Sequence, residues 1–464
     1  MRQATSNLSL ALALICQLQS ASAADLMDVW HAAALNDKGF ATERAAQATA
    51  QPLRDQAAAL WRPNVALSGS IGVASSDSDA RGAQFSAPGF GQSSGAAFAT
   101  SVTNGDSGRL VITATQPLYN PQRRAHQQQL SLSAELADLQ WQAAGQSLML
   151  HTAERYFDLA LTQESLRVLK MQAGAVQSAT TEAEDRFKLG SIPITDTHEA
   201  RARLAGIRAQ TLAAESELQL KRGMLADSTG LPELALVARL PAALPERIDS
   251  EAARPLAIWQ SHAQTGNPAI RSQLLAAEAA KQEATKYRLR SSATLDLVAQ
   301  ASRERLSGSG DFGAASSTGS NRLIGLQLSA PLFTGGYRHA KHAEVKQLAE
   351  KSLAELDRTR QAVAQQVRAA WLGLSVGRER AQALAEVLRA SKLRRDATKV
   401  GLEVGERTTL DLLNAENDAA SAELALAEGQ VGLLLDRLRL AALVGQLDEA
   451  AMRAANGELS ATAL

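Results

Sequence analysis

Two carboxylates stand at matching distances after a glycine. Asp196 follows Gly190 by six residues, Asp411 follows Gly405 by six, and the two glycines are 215 residues apart. A glycine readily adopts the left-handed conformation that ends a helix. A carboxylate shortly after it can accept hydrogen bonds from the start of the next helix or pair with a cation. The repeated spacing predicts the same helix–turn–helix at two places in the chain.

The residues beside these acids allow two kinds of chemistry. Thr408 and Asp411 fit a capping box at the start of a helix, and Asp196 with Glu199 fits another. Arg407 lies four residues before Asp411, the spacing of an ion pair worth about 0.3–0.5 kcal/mol on a helix surface. A cap and a charged link are compatible, and the residue types leave both open.

Three other patterns lack a neighbour that their chemistry requires. Residues 308–313 spell G-x-G-x-x-G, but they lie between two predicted strands and not at the strand-to-helix turn of a nucleotide site. His339 and His342 could share a metal on one helix face, yet no third ligand is nearby, and His198 lacks the second histidine of a zinc protease. The sequence also has no nucleophile elbow and no Walker motif. It therefore predicts no catalytic site, no cofactor, no metal and no enzyme.

The N-terminus has the pattern of a cleaved signal peptide over residues 1–23. Arg2 precedes an apolar run over residues 8–16, and a small-x-small cleavage site ends at Ala23. The run is about half of what a helix needs to cross a bilayer. Cys16 is the only cysteine and follows an isoleucine, which does not fit a lipoprotein site. No later stretch is long and apolar enough for a spanning helix, so membrane insertion would have to use strands.

Composition favours long helices over compact domains. The chain has 464 residues, a formal net charge of zero, 45% hydrophobic residues and only 4% aromatics. Ala, Leu, Gln, Glu and Arg dominate long stretches without proline, from Pro121 to Leu189 and from Tyr337 to Val404. About 70 helical residues would span roughly 100 Å. A neutral charge balance gives no indication of nucleic acid as a partner.

The two long stretches belong to a duplicated half-chain. Three pairs of landmarks occur in the same order in both halves: Asn36 and Asn267, Pro117 and Pro331, and Tyr156 and Trp371. Their separations are 231, 214 and 215 residues. A second helix follows each long one, at 196–227 and 409–444, so each half should hold a helical hairpin. The predicted domains are a signal peptide (1–23), a first repeat (24–230), a linker (231–263), a second repeat (264–448) and a C-terminal tail (449–464).

Alternating residues predict two strands in each half. They lie at about 64–75 and 109–118 in the first half and at about 293–302 and 322–332 in the second. Apolar and small polar residues alternate for about ten residues per strand, as in membrane barrels, although a soluble amphipathic sheet has the same period. The Gly- and Ser-rich segments between the strands of each pair, residues 75–108 and 302–321, are expected to form the tips of the strand pairs.

Four such strands cannot close a barrel by themselves. Open sheet edges are excluded in lipid, so several copies of the chain must pool their strands. Three copies would give a twelve-stranded barrel with a channel, whereas two would give eight strands and a filled interior. The pattern therefore favours three copies.

These features together resemble the TolC-type outer-membrane channel family over essentially the whole exported chain. The resemblance is carried by "QPLYN" and "APLFTGGYR" at the strand-to-helix junctions, by Tyr156 and Trp371, and by "VGERTTLDLLNAEND" at 404–418. It implies an α+β membrane protein with an internal two-fold repeat. A trimeric twelve-stranded outer-membrane β-barrel, with four strands per chain, would continue into a long periplasmic α-helical barrel. Tyr119 and Phe333 would be the junction aromatics.

The family closes its periplasmic tip with charged and hydrogen-bonded links, and the resemblance assigns gate roles to five positions. Asp196 would accept such a link, Arg407 would donate it, and Asp411 would belong to an acid ring facing the lumen. Two positions depart from the family pattern. Leu402 stands where some members have a gate tyrosine, and Asn414 stands where they have a second lumen acid.

By the same resemblance, the chain is the outer-membrane exit duct of a tripartite export system. It would be a homotrimer that works with a periplasmic adaptor and an inner-membrane ABC transporter or proton-driven pump. Type I secretion of a protein such as a repeat toxin is favoured over small-molecule efflux. The reasons are the uninterrupted segment "GERTTLDLLNAEND" at 405–418 and the lack of a cysteine that fits lipidation. A periplasmic structural coiled-coil protein is the alternative from another class. The expected surroundings are outer-membrane lipid of a Gram-negative bacterium, the periplasm and the cargo, without nucleic acid.

Overall fold

The computed structural model describes residues 24–89, 91–242, 254–288 and 293–459. The predicted signal peptide, residues 1–23, lies outside the described residues, and so do residues 243–253 of the predicted linker.

Helices dominate the described residues. They are α1 (Leu26–Asn36), α2 (Lys38–Gln47), α3 (Ala50–Ala59), α4 (Pro121–Lys188), α5 (Ile194–Thr229), α6 (Leu256–Gly266), α7 (Pro268–Thr285), α8 (Tyr337–Glu403), α9 (Thr409–Leu443) and α10 (Glu449–Gly457). The strands are β1 (Asn64–Ala87), β2 (Gly91–Tyr119), β3 (Thr294–Gly310) and β4 (Gly313–Ser329). Over the ranges that the structure describes, no helix combines the length and the apolar character needed to cross a membrane.

The order of elements repeats along the chain. Short helices, a pair of strands and a long helical hairpin follow one another twice, which confirms the predicted repeat and its hairpins. The first helices of the two hairpins, α4 and α8, have 68 and 67 residues, and the second, α5 and α9, have 36 and 35. At 1.5 Å per residue, α4 and α8 each extend roughly 100 Å.

The chain divides into two compact units that do not coincide with the repeats. Among the described residues, one unit comprises 24–50, 135–242, 254–275 and 353–459, and the other comprises 51–89, 91–134, 276–288 and 293–352. The second unit holds the sheet with the adjoining helix segments, and the first holds the hairpin turns and most of the helical residues. Each repeat contributes residues to both units.

The four strands form one antiparallel sheet in the order β1-β2-β3-β4. Its register pairs Leu67 with Ile112 and Leu297 with Leu326, and paired residues share a face of a sheet. These four side chains are between 39% and 67% exposed, so the chain leaves its apolar sheet face uncovered. The other face carries mostly small or polar residues, among them Ser68, Thr113, Gln300 and Gly325. This division between an apolar and a polar face is typical of strands between lipid and a water-filled lumen.

The strands run well beyond their predicted limits. β1 extends to Ala87 and β2 begins at Gly91, while β3 and β4 turn at residues 310–313. The predicted limits were too short, because antiparallel backbone hydrogen bonds continue where Gly and Ser give no hydrophobic alternation. β4 ends at Ser329, before the predicted limit, because Pro331 has no N–H to donate to the ladder.

The Asn landmarks of the two repeats make the same contact. The Asn36 amide donates to the Thr229 carbonyl at 2.7 Å, and the Asn267 amide donates to the Leu443 carbonyl at 2.8 Å. Thr229 and Leu443 are the last residues of α5 and α9. Each amide satisfies a carbonyl that a helix end leaves without an intrahelical partner. The duplication therefore preserves specific contacts as well as the order of elements.

The aromatic landmarks both hold the segment between the repeats. Tyr156 is 1% exposed and its hydroxyl accepts from the Arg239 N–H at 3.0 Å, and the Trp371 indole donates to the Arg254 carbonyl at 3.0 Å. Burial raises the pKa of Tyr156 to about 12, so the hydroxyl is protonated at neutral pH. These two contacts give the matched aromatics a structural role, since each binds one point of the linker.

Candidate functional site

Both long hairpins turn at a glycine with positive φ, +72° at Gly190 and +82° at Gly405. In each turn, the N–H after the glycine donates to a carbonyl five residues earlier, at 2.9 Å after Gly190 and 2.8 Å after Gly405. The glycine N–H itself donates to a carbonyl three residues earlier. This pair of bonds is a Schellman motif, which satisfies the carbonyls of a helix end. Residues with a Cβ rarely adopt this conformation, so each turn requires its glycine.

The helix after the second turn begins with a capping box. Thr408 Oγ1 accepts from the Asp411 N–H at 3.1 Å, and the Asp411 carboxylate accepts from the Thr408 N–H at 2.9 Å and from its hydroxyl at 2.8 Å. These hydrogen bonds, with a smaller contribution from Arg407, hold the pKa of Asp411 below its usual value. The ionised cap is therefore fully present above the ordinary aspartate range and is lost only as pH falls through the lowered pKa.

Of the two roles that the sequence leaves open for Asp196, a helix cap is absent from the structure. α5 begins at Ile194, with Pro193 as its N-cap, and no side chain caps it. The extended backbone of Pro193 directs its carbonyl to accept from the Asp196 N–H at 3.3 Å, so the helix starts before the acid. Asp196 lies in the first turn as an exposed carboxylate, with the Thr195 hydroxyl at 3.3 Å.

Arg407 is exposed and lies against the end of α8. A Cβ on Gly401 would stand 2.7 Å from Arg407 Cγ, so the glycine leaves room for the arginine stem. Within the part of the chain that the structure describes, no ion pair joins Arg407 to Asp196 or Asp411. The turn thus brings Thr408, Arg407 and Asp411 together and leaves the guanidinium without a carboxylate bound to it.

Leu402 and Asn414 occupy different environments. Leu402 is 6% exposed, near the C-terminal end of α8, whereas Asn414 is exposed on α9 between the buried Leu413 and Ala415. A buried leucine offers neither a hydrogen bond nor a side chain free to reach another copy. Asn414 is placed to meet solvent or another chain.

A family model described as outer membrane efflux protein matches residues 29–231 and 259–446. The chain belongs to this family. The two matched stretches fall on the two repeats. The protein is accordingly located in the outer membrane of a Gram-negative bacterium and extends into the periplasm, and its family is one of channels and not of enzymes.

Relatives of this efflux-family protein have both secretion and efflux in their names. It is 26% identical to the outer membrane protein TolC of Escherichia coli, covering 71% of this chain and 67% of the relative. It is 26% identical to the alkaline protease secretion protein AprF of Pseudomonas aeruginosa, covering 74% and 71%. It is 24% identical to the outer membrane efflux protein BepC of Brucella suis, covering 65% and 64%.

Solved structures share the fold of this efflux-family chain at lower identity. The outer membrane protein VceC of Vibrio cholerae superposes with a TM-score of 0.70 at 18% identity, covering 91% of this chain and 97% of that one. The MtrE outer membrane channel of Neisseria gonorrhoeae, solved in its open state, superposes with a TM-score of 0.65 at 17% identity, covering 92% and 90%.

A charged cluster that sequence reasoning missed joins α4 to α9 in this efflux-family protein. Arg167 contacts Glu164 at 2.6 Å and Glu423 at 2.7 Å. The Glu164 side chain is only 5% exposed and the Arg167 side chain is 30% exposed. Hydrogen bonding to Glu164, and then to Glu423, raises the pKa of Arg167 above its ordinary value. The Glu164–Arg167 spacing is visible in the sequence, but Glu423 lies 256 residues away and no local pattern indicates it.

Replacing Arg167 with methionine should destabilise the hairpins by about 2 kcal/mol, because it leaves the buried Glu164 carboxylate without its partner. Circular dichroism should show a lower midpoint of thermal unfolding of the helices. The double variant Glu164→Gln/Arg167→Met removes the stranded charge and should recover most of the loss. Lys170→Met, which breaks an exposed pair with Glu215, is the matched control and should have little effect. An equal loss in Arg167→Met and Lys170→Met would contradict the role of burial.

The junction aromatics lie where the strand pairs give way to the long helices. Tyr119 is the last residue of β2 and is 53% exposed. Phe333 lies between β4 and α8 and is 88% exposed. Large aromatic side chains left exposed at the end of an apolar sheet face are typical of a membrane interface.

Proposed function

We propose that this protein is the outer-membrane exit duct of a tripartite export system, and that its cargo is a secreted protein such as a repeat toxin. The observation that carries the proposal is a sheet with one apolar and one polar face whose strand pairs each lead into a long helical hairpin. Such a chain can line one continuous passage through a membrane and away from it. It has no energy source of its own, so a periplasmic adaptor and an inner-membrane ABC transporter or proton-driven pump would drive the cargo.

The assembly we propose is a homotrimer. β1 and β4 are the edges of the sheet in one chain, and an edge in lipid must pair with another strand. Three copies joined edge to edge give a twelve-stranded barrel wide enough for a channel, whereas two copies give eight strands and a filled interior.

The gate we propose lies at the hairpin turns. Asp196 and Arg407 are both exposed, and neither has an ion-pair partner within the described part of the chain. In the trimer, the Arg407 of one copy would pair with the Asp196 of its neighbour and hold the turns together. Asp411 and Asn414, on the first turns of α9, would face the aperture. Leu402, being buried, would support the turn by packing and would not take part in the link.

Two kinds of cargo fit the comparisons. AprF and the proteases secretion protein PrtF of Dickeya chrysanthemi are named for protein secretion, which supports type I secretion. BepC and the family description are named for efflux, so the outlet of a small-molecule or multidrug efflux pump is the second candidate. A structural coiled-coil protein of the periplasm does not fit membership of the outer membrane efflux protein family.

Deleting the gene separates the two cargo classes. We expect the culture medium of the deletion strain to lose a large secreted protein, while the sensitivity to dyes, detergents and antibiotics stays unchanged. Re-expression of the chain should restore secretion. An intact set of secreted proteins together with sensitisation to small molecules would overturn the protein cargo in favour of efflux.

A further inference from the structure

Six basic side chains lie where the strands of the sheet meet the helices, all within the unit formed by residues 51–134 and 276–352. The junction cations are the arginines Arg62, Arg124 and Arg288, and the histidines His126, His339 and His342 lie beside them. All except His342 are exposed, and His342 is half-buried. Among the residues of this unit that the structure describes, none provides an ion-pair partner for a junction cation.

The junction cations stand beside arginines that are fixed in the same way in both repeats. Arg123 donates to the Leu60 carbonyl at 2.9 Å. Arg338, 215 residues later, donates to the carbonyls of Lys286 and Arg288 at 3.2 Å each. Each of these arginines ties the start of a long helix to the chain that precedes the strand pair. The residue after each one, Arg124 or His339, belongs to the six basic side chains, so its position along the junction is fixed by the fold.

Two carboxylates in the same layer are already engaged. Glu283 pairs with Lys286 at 2.7 Å, and Glu344 pairs with Lys341 at 2.8 Å. Asp296 belongs to the polar face of β3, since it alternates with the leucines of the apolar face. The positive charge of the junction cations is therefore not cancelled by these acids.

The apolar face of the sheet begins directly beside the junction cations. Val65 and Leu67 follow Arg62 by three and five residues and are 68% and 66% exposed. Leu326 and Leu328, near the same end of the sheet on β4, are 67% and 73% exposed. At about 3.3 Å per residue, Arg62 lies within roughly 10 Å of this face. That distance is comparable to the headgroup layer beside the hydrocarbon core.

Exposed aromatic side chains occupy the same layer. Tyr119, Phe333 and Tyr337 are 53%, 88% and 63% exposed. Aromatic side chains form girdles at the interfaces of membrane barrels. The junction cations therefore coincide with the position at which lipid headgroups would meet the protein.

We infer that the junction cations bind the phosphate groups of anionic phospholipids in the leaflet that faces the periplasm. A guanidinium matches a phosphate with two parallel hydrogen bonds, and basic groups beside a membrane are attracted to anionic lipid. Sites in both repeats would distribute these lipids around the barrel and fix how deeply the barrel lies in the membrane. The inference depends on the outer-membrane location and not on the cargo of the duct.

The test compares lipids retained by the purified full-length protein. Oligomers are taken from mixed micelles of phosphatidylglycerol and phosphatidylcholine in equal amounts, and native mass spectrometry counts the bound lipids. We expect Arg62→Gln/Arg124→Gln/Arg288→Gln to lower the ratio of phosphatidylglycerol to phosphatidylcholine by about tenfold or more. The same three positions changed to lysine should keep the preference. The control Arg368→Gln/Arg380→Gln/Lys399→Gln removes three exposed cations further along α8 and should also keep it.

Several outcomes would overturn the inference. One is an unchanged lipid ratio in the glutamine variant, and another is an equal fall in the control, which would assign the effect to net charge. A third is unchanged lipid retention with a shifted ion selectivity in planar bilayers, which would place the cations in the lumen. If the glutamine variant yields no oligomer, the wild-type protein is tested at about 0.05 and 0.5 M salt. Its lipid preference should fall with salt, and a salt-independent preference would contradict binding by these charges.

Discussion

Replacing Gly266 with valine is expected to abolish the folded oligomer in outer-membrane fractions. A Cβ at Gly266 would lie 2.2 Å from the Val444 carbonyl oxygen, and a Cβ at Gly445 would lie 2.2 Å from the Gly266 carbonyl oxygen. The obstructing atoms belong to the backbone at the ends of α6 and α9, so no side-chain rotation can relieve the clash. Such overpacking costs more than about 3 kcal/mol where the backbone cannot move.

The measurement is the intensity of the oligomer band in gel electrophoresis of unboiled outer-membrane samples. This band is heat-sensitive and is absent after boiling. Gly174→Val is the matched control, since nothing lies within 4 Å of a Cβ at this exposed position in α4. The control should give a normal band, because valine is no worse than glycine inside a helix. A normal band from Gly266→Val would show that the two helix ends can separate without loss of the fold.

Replacing Arg407 with serine is expected to raise the single-channel conductance several-fold in planar bilayers. If Arg407 of one copy pairs with Asp196 of the next, its loss removes one link per interface and lets the hairpin turns spread. Asp196→Asn should have the same effect, and the double variant should add little to either single one, because both changes break one interaction.

The capping box provides the control for this gate experiment. Thr408→Ala removes the cap of α9, at a cost of about 1 kcal/mol, and keeps Arg407 in place. It should leave the conductance near that of the wild-type protein. Equal conductance increases in Thr408→Ala and Arg407→Ser would assign the effect to fraying of the helix start, and an unchanged conductance in Arg407→Ser would contradict the gate.

Features fixed by local chemistry could be predicted from the sequence. Gly190 and Gly405 end helices through their own positive φ, and the capping box of Thr408 with Asp411 needs only four consecutive residues. The fold class followed from similar patterns, since the repeat, the long helices and the strand pairs each give a regular spacing of residue types in the sequence. The family comparison and the sheet bear out that fold.

Features that depend on the backbone or on distant residues could not be predicted. Asp196 does not cap its helix, because the helix already begins at the Pro193 carbonyl. The strands continue through Gly and Ser because backbone pairing carries no signature in side-chain type. The contact of Arg167 with Glu423 joins residues 256 apart, and a single sequence gives no indication of which charges meet at that distance. The roles of the gate residues stay predictions, because a link between copies does not exist in one chain.

The central claim is that copies of this chain form a water-filled duct across the outer membrane. The most direct measurement is the current through a planar bilayer after addition of the purified, heat-sensitive oligomer. We expect discrete conductance steps that are multiples of one unit size and that disappear when the sample is boiled first. An oligomer that inserts into the bilayer and carries no current, even as Arg407→Ser, would contradict the duct.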